Sequence, residues 1–232
     1  MPKKEKVLIC IGTMGRPTFN RCYKSVMVAR KRLPVSSDYH IIKNESPQSA
    51  WLNKMRIAAM GWDWCFQVDE DMYLYENALE DLYNYASRKA NTTNILSASS
   101  LLYDLFLERN IGSFKIWRSK SLVDLEFRDV LGSDRDIARR GDKLLRYSIS
   151  RNIVLGDHDS APNKEIAYNK YFKYIQKLKK FGKKREIESI IKFLNNKINK
   201  NPYDKISKAA HRGACDSFAI KNIYNNSNCK GL

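Results

Sequence analysis

The run Trp64-Cys65-Phe66-Gln67-Val68 passes directly into Asp69-Glu70-Asp71, and hydrophobic sequence resumes at Met72. A short apolar run bounded in this way reads as a buried strand, so its end delivers three carboxylates to the rim of a sheet. In open α/β sheets that carboxyl edge is where ligands collect. Carboxylates this close repel one another, and a positive partner among them relieves the repulsion. Alternating Asp69 and Asp71 side chains suit one hard cation, with coordination positions left for diphosphate oxygens. A solvated acidic turn has the same composition, so the rest of the chain has to separate the two.

Strand and helix signals alternate on either side of the acids. Residues 7–11 form a buried strand that stops at Gly12-Thr13-Met14-Gly15-Arg16-Pro17, a turn built from Gly and Pro. A helix is predicted over residues 19–32, with Cys22, Val26 and Ala29 on its inner face. Residues 39–42 make a second strand, closed by Lys43-Asn44-Glu45-Ser46-Pro47, and a helix over residues 49–60 leads into the acidic strand. Residues 76–87 follow as a helix with Leu79, Leu82 and Tyr83 inward, and residues 94–98 and 113–118 are further strand candidates. This alternation predicts an α/β domain with a mostly parallel sheet and flanking helices. Trp117 has a spacing that suits a core position.

Further on, Ser133 is placed to cap a helix whose first turn holds Asp134 and Asp136, where the helix dipole favours negative charge. A short strand from Ile153 ends on Asp157-His158-Asp159, which holds one of only three histidines. Beyond Pro162 the pattern changes. Tyr168, Phe172, Ile175 and Leu178 mark one helix face, and Ile187, Ile190, Ile191, Leu194 and Ile198 mark another. Gly182 separates them, which predicts a helical hairpin closed by Asn201-Pro202 and a frayed tail from about residue 222. The expected division is a catalytic domain over residues 1–163 and a basic helical extension over 164–232, packed on it.

Charge follows the same division. Of the formal net charge of +17, the stretch between Lys164 and Arg212 carries 15 Lys/Arg against 4 Asp/Glu. Such a segment suits a polyanionic partner, either nucleic acid or an anionic membrane face, although solubility alone also explains it. With 43% hydrophobic and 29% charged residues, the chain is globular rather than disordered. No apolar run approaches the roughly 18 residues of a membrane span. The five cysteines are odd in number and scattered, with no CxxC, and read as reduced thiols. With no apolar leader before residue 7, the expected location is cytoplasmic, with peripheral membrane contact open.

Together these segments resemble a GT-A glycosyltransferase of the family-2 type, which uses nucleotide-diphosphate sugars; the resemblance spans roughly residues 6–160. Gly15-Arg16-Pro17 after the first strand is similar to the family's Arg-Pro. Asp69-Glu70-Asp71 resembles its metal-binding DxD, and Ser133-Asp134-Arg135-Asp136-Ile137 with Arg139 resembles the segment carrying the catalytic base. His158 stands where many such enzymes place a third metal contact. The resemblance implies a Rossmann-like GT-A fold, Mn²⁺ or Mg²⁺ held by Asp69, Asp71 and His158, and a donor contacted by Arg16, Glu45, Asp69 and Glu70. It also implies Asp134, or less directly Asp136, as the base of an inverting transfer to an acceptor hydroxyl.

Four positions depart from the family pattern. Lys43 replaces the acid that reads the nucleotide base, with Glu45 as substitute; Ser133 replaces a glutamate; and Asn53 and Gly61 fit only with a shift of one. The basic segment adds two acceptor classes, a membrane-associated glycan and hydroxymethylpyrimidine DNA. Two other functions remain open. A nucleotidyltransferase would need a Gly-rich loop that residues 12–17 do not match, and a non-catalytic nucleic-acid-binding protein would leave the three acids as a solvated turn.

Overall fold

The computed structural model describes residues 5–219, and the chain divides into two compact units between Asp159 and Ser160. The first unit runs β1 (Lys6–Thr13), α1 (Phe19–Arg30), β2 (Ser36–Lys43), α2 (Gln48–Ala58), β3 (Trp64–Asp69), β4 (Met72–Leu74), α3 (Ala78–Ala90), β5 (Ile95–Asp104), β6 (Arg109–Arg118), α4 (Ser119–Leu122), α5 (Ser133–Asp142) and β7 (Tyr147–His158).

β1 shows why a layered fold forms. Seven of its eight residues are buried, so both faces of the strand need cover. Val7, Ile9 and Ile11 enter a core with Cys22, Val26 and Ala29 of α1 and Leu79, Leu82 and Ala86 of α3. Leu8 and Cys10 point the other way, into a core with Trp51, Leu52 and Met55 of α2 and Ile137 of α5. β3 repeats the alternation: Phe66 stacks on Phe114 on the first face, and buried Gln67 accepts a 3.1 Å hydrogen bond from the Trp117 indole on the second. Trp117 is therefore a core residue, 1% exposed. Cys10, Cys22, Cys65 and Cys215 are free thiols; Cys229 lies outside the described residues.

The seven strands form one sheet in the order β2-β1-β3-β6-β5-β7-β4. β1 pairs in parallel with β2 and β3, and β5 pairs in parallel with β7. β6 runs antiparallel to β3 and β5, and β4 antiparallel to β7. The sheet is thus mostly parallel with helices on both faces, as expected, and the carboxyl ends of β1, β2, β3, β5 and β7 lie along one edge. β5 is longer than anticipated and ends on Asp104, while β4, only three residues long, is too short to show a period.

In the second unit the expected hairpin becomes three helices: α6 (Lys164–Lys180), α7 (Lys184–Lys200) and α8 (Lys205–Ala219). The Asn163 side chain caps α6 through the Ile166 N–H, and Gly182 turns the chain at φ +66°. α8 takes the place beside α6, with Tyr168 donating to Asp216 at 2.9 Å and Lys179 to the Ser217 carbonyl at 3.0 Å. A Cβ at Gly213 would run into the Tyr168 carbonyl, so the two helices meet backbone to backbone there. This contact rotates α6 so that Ala167 and Tyr171 are buried ahead of Ile175 and Leu178, and the anticipated Tyr168 and Phe172 are only half-buried. The tail expected from residue 222 lies outside the described residues.

Candidate active site

β3 delivers Asp69 to the sheet edge, and Glu70 and Asp71 form the turn into β4. Glu70 is buried and turned toward the loop after β1. Its carboxylate accepts hydrogen bonds from the Thr13 hydroxyl at 2.5 Å, the Met14 N–H at 3.1 Å and the Arg16 N–H at 2.9 Å. Its own N–H donates to the Gly12 carbonyl. Gly15, at φ +77°, lets the loop fold around that carboxylate. Glu70 therefore fixes the loop, and the loop fixes Arg16. The Arg16 guanidinium bridges Glu70 and Asp71, 3.3 Å from each.

Asp71 is nearly buried, and its second oxygen lies 3.3 Å from His158 Nε2. His158 reaches that point because β4 pairs with β7, opposing Met72 to His158. The backbone seals the join, with the Asp159 N–H donating to the Asp71 carbonyl at 2.8 Å. On its other side, His158 Nδ1 lies 2.7 Å from Asp104 Oδ2. The Tyr73 hydroxyl donates to Asp159, and Arg21 lies 3.9 Å over the Tyr73 ring.

Asp69 faces the same space. Burial and then the neighbouring Asp71 charge raise its carboxyl to about 7, opposed by His158, Lys115 and Arg16. The site thus holds more negative charge than its own cations settle, and the donors present are carboxylate oxygens and one imidazole nitrogen. That set suits Mg²⁺ or Mn²⁺. Among the described residues no three His, Cys, Asp or Glu side chains gather into a metal cage. A cation here would have to complete its shell with water or substrate oxygens, as Mg²⁺ commonly does.

The second acidic segment reaches the same edge. The Asn53 side chain clamps the Phe127 backbone through its N–H and carbonyl, each at 2.9 Å, and Trp117 meets Phe127 edge to face. From there the chain enters α5, where Gly132 at φ +74°, rather than Ser133, occupies the cap position. Asp134 accepts a 2.7 Å hydrogen bond from the Lys115 ammonium on β6. Burial pushes the Asp134 carboxyl up, but Lys115 and the Arg135 N–H more than offset this and hold it below the usual carboxylate range. Asp136 is paired with Arg140 one turn along at 2.9 Å. Glu45 forms an ion pair with Lys54 of α2 after the end of β2.

The structure therefore gathers Arg16, Asp69, Asp71 and His158, turns Glu70 into the loop, and couples Asp134 to the site through Lys115. Thr13, Asp104 and Lys115 carried no motif. Asp104 pairs with His158 across β5 and β7, 54 residues apart, a relation that the sequence alone does not display.

No family model matches the chain, and no curated protein does. Among solved structures, the mannosyltransferase PcManGT from Pyrobaculum calidifontis, in complex with GDP-Man and Mn²⁺, superposes with a TM-score of 0.55 at 11% identity. The alignment covers 100% of this chain and 77% of that one. The chain thus shares the fold of that mannosyltransferase. A Drosophila galactosyltransferase in complex with manganese, UDP-Gal and xylobiose aligns less closely, with a TM-score of 0.46 at 15% identity, covering 66% of this chain and 67% of that one. The 4-diphosphocytidyl-2C-methyl-D-erythritol synthase of Anaerococcus prevotii gives 0.44 at 8% identity, over 64% of this chain and 89% of that one. In open α/β sheets, the carboxyl edge, which here carries the three acids, is where ligands collect.

Proposed function

We propose that the chain is a metal-dependent glycosyltransferase that moves a sugar from a nucleotide-diphosphate donor to an acceptor hydroxyl. The observation that carries this reading is the meeting of Asp69, Asp71, Arg16 and His158, with Asp134 beyond Lys115, on the carboxyl edge of this fold. The mannosyltransferase with the same fold was solved with GDP-Man and Mn²⁺, which supports a donor of that chemical class.

In this reading Asp71 and His158 hold the cation, with Asp69 bound directly or through water. The imidazole favours Mn²⁺ over Mg²⁺. Such a cation supplies positive charge against the charge that develops on the departing nucleoside diphosphate. Arg16, held by Glu70, faces the diphosphate, and Glu70 itself acts by shaping the loop. Asp134 accepts the proton of the acceptor hydroxyl as that oxygen attacks the anomeric carbon, a single displacement that inverts configuration. Lys115 keeps Asp134 ionised and ready to take that proton. The Asp136–Arg140 pair leaves Asp136 a helix-stabilising role, and Glu45 is the group nearest in sequence to a nucleotide-base contact.

The acceptor is proposed to be, or to be attached to, a polyanion, because the +11 net charge between Lys164 and Arg212 lies in the helical unit. Hydroxymethylpyrimidine DNA and a glycan at an anionic membrane face are the two candidates. Among the described residues no helix is long and apolar enough to cross a membrane, and the membrane contact proposed is a peripheral one.

The test is Asp134→Asn. Turnover should fall by about 10²–10⁴-fold, the usual size of a general-base contribution, with donor affinity unchanged. Full turnover in this variant would remove Asp134 as the base. Release of inorganic diphosphate from a nucleoside triphosphate and a sugar phosphate, with no nucleoside diphosphate released from a nucleotide sugar, would establish the nucleotidyltransferase instead.

A further inference from the structure

His158 is held from behind as well as from the front. Asp104 closes β5 directly opposite His158 at the end of β7. Its carboxylate is 1% exposed, and Oδ1 accepts the Phe106 N–H at 3.0 Å and the Leu107 N–H at 2.7 Å. These two bonds fix the plane of the carboxylate and aim Oδ2 at His158 Nδ1, 2.7 Å away. A carboxylate accepts hydrogen bonds, and of the two that flank the ring Asp104 at Nδ1 is the closer, 2.7 Å against 3.3 Å for Asp71 at Nε2, so the single proton of a neutral ring goes to Nδ1. The lone pair of the neutral ring is then confined to Nε2, the nitrogen 3.3 Å from Asp71. A metal can bind only at a nitrogen with a free lone pair, and a carboxylate behind the ring also makes that nitrogen more basic.

We infer that Asp104 is a positioning residue of the metal site, selecting the His158 tautomer that turns Nε2 toward Asp71. The inference rests on the proposal that Asp71 and His158 hold the cation. A purely structural role is the competing account, since Asp104 also organises the turn into β6. Asp104→Asn separates the two. Its oxygen still accepts the Phe106 and Leu107 N–H groups, but an amide N–H now faces Nδ1 and drives the ring proton to Nε2.

Two readouts test the inference. The first is long-range ¹H–¹⁵N NMR of the metal-free protein, with pH raised until the ring signals no longer shift. With only three histidines in the chain, His158 is assigned by its loss in His158→Gln. The wild type should show the Nδ1–H tautomer and Asp104→Asn the Nε2–H tautomer. The second is Mn²⁺ titration followed by the paramagnetic resonance of the free ion. Asp104→Asn should weaken binding by about 10- to 100-fold, with no further loss when His158→Gln is already present. An Nε2–H tautomer in the wild type overturns the inference without any variant. Mn²⁺ affinity that ignores Asp104→Asn, or a loss of equal size in the His158→Gln background, overturns it alone. A wild type that binds no Mn²⁺ overturns the metal reading as well.

Discussion

Asp134 and Lys115 meet at 2.7 Å, and their pairing makes a testable statement about protons. Burial raises the Asp134 carboxyl, and Lys115 brings it below the ordinary range. A depressed carboxylate adds stability above its unfolded pKa and loses it as pH falls through the folded one, so the group stays ionised through the neutral range. Lys115→Met should therefore raise the Asp134 pKa and move the acid limb of the kcat/KM profile to higher pH. An unmoved limb would mean that Lys115 does not govern the base. The residues that could be read from sequence were those embedded in a pattern. Asp69 and Asp71 follow an apolar run, Arg16 follows a Gly turn, and His158 closes a strand. Lys115 and Asp104 were not legible because each acts on a partner distant in sequence, Lys115 on Asp134 of α5 and Asp104 on His158 across the β5–β7 pairing, and only the tertiary structure shows those partners.

Two contacts between elements hold the edge in register. A Cβ at Gly156 would run into the Tyr73 carbonyl across the β4–β7 pairing and crowd Leu102. Gly156→Ala should cost about 1–3 kcal/mol, as overpacking usually does, and should weaken Mn²⁺ binding as well, because the same pairing opposes Met72 to His158. Chemical denaturation and the Mn²⁺ titration check the two effects, and full stability with full affinity would contradict the claim. At the opposite end of β1, the Glu5 carboxylate accepts from the Trp64 indole at 2.9 Å, the Tyr83 hydroxyl at 2.8 Å and Arg118 at 3.0 Å. Burial raises this carboxyl, and the Tyr83 and Trp64 bonds with the Arg118 charge lower it further than burial raises it. Its contribution is present above about 4.5, the ordinary value for the group, and disappears as pH falls through the lower folded value. Glu5→Ala should destabilise the unit at neutral pH by about 1–3 kcal/mol, with the deficit shrinking in acid; a deficit independent of pH would rule out the ionised form. The helix that sequence did not reveal, α8, meets α6 with Ser207, Ala210, Gly213, Ala214 and Ser217. A face of small residues permits close approach but adds little to a hydrophobic period, which is why only a hairpin was expected.

Across the whole chain, the alternation of strand and helix through the first half was legible because buried strands and amphipathic helices write different periods. The antiparallel insertion of β6 was not, since strand order leaves no local signature. Charge separates along the chain, with most of the basic excess concentrated in residues 164–212. If that segment meets a polyanion, retention on short duplex DNA or anionic vesicles should fall steeply with salt. Neutralising several of its lysines should abolish retention and leave donor binding intact; retention that ignores salt would contradict this. The central claim is that the acids at the end of β3 hold a cation and a nucleotide-diphosphate sugar. Its most direct test is nucleoside-diphosphate release from UDP-, GDP- and dTDP-sugars with Mn²⁺, Mg²⁺ or chelator, with donor binding followed on the same samples and Asp71→Asn alongside. The account predicts metal-dependent binding and release with one donor, both lost in chelator and in the variant. Absence of donor binding with or without metal, or binding unchanged by Asp71→Asn, would contradict it.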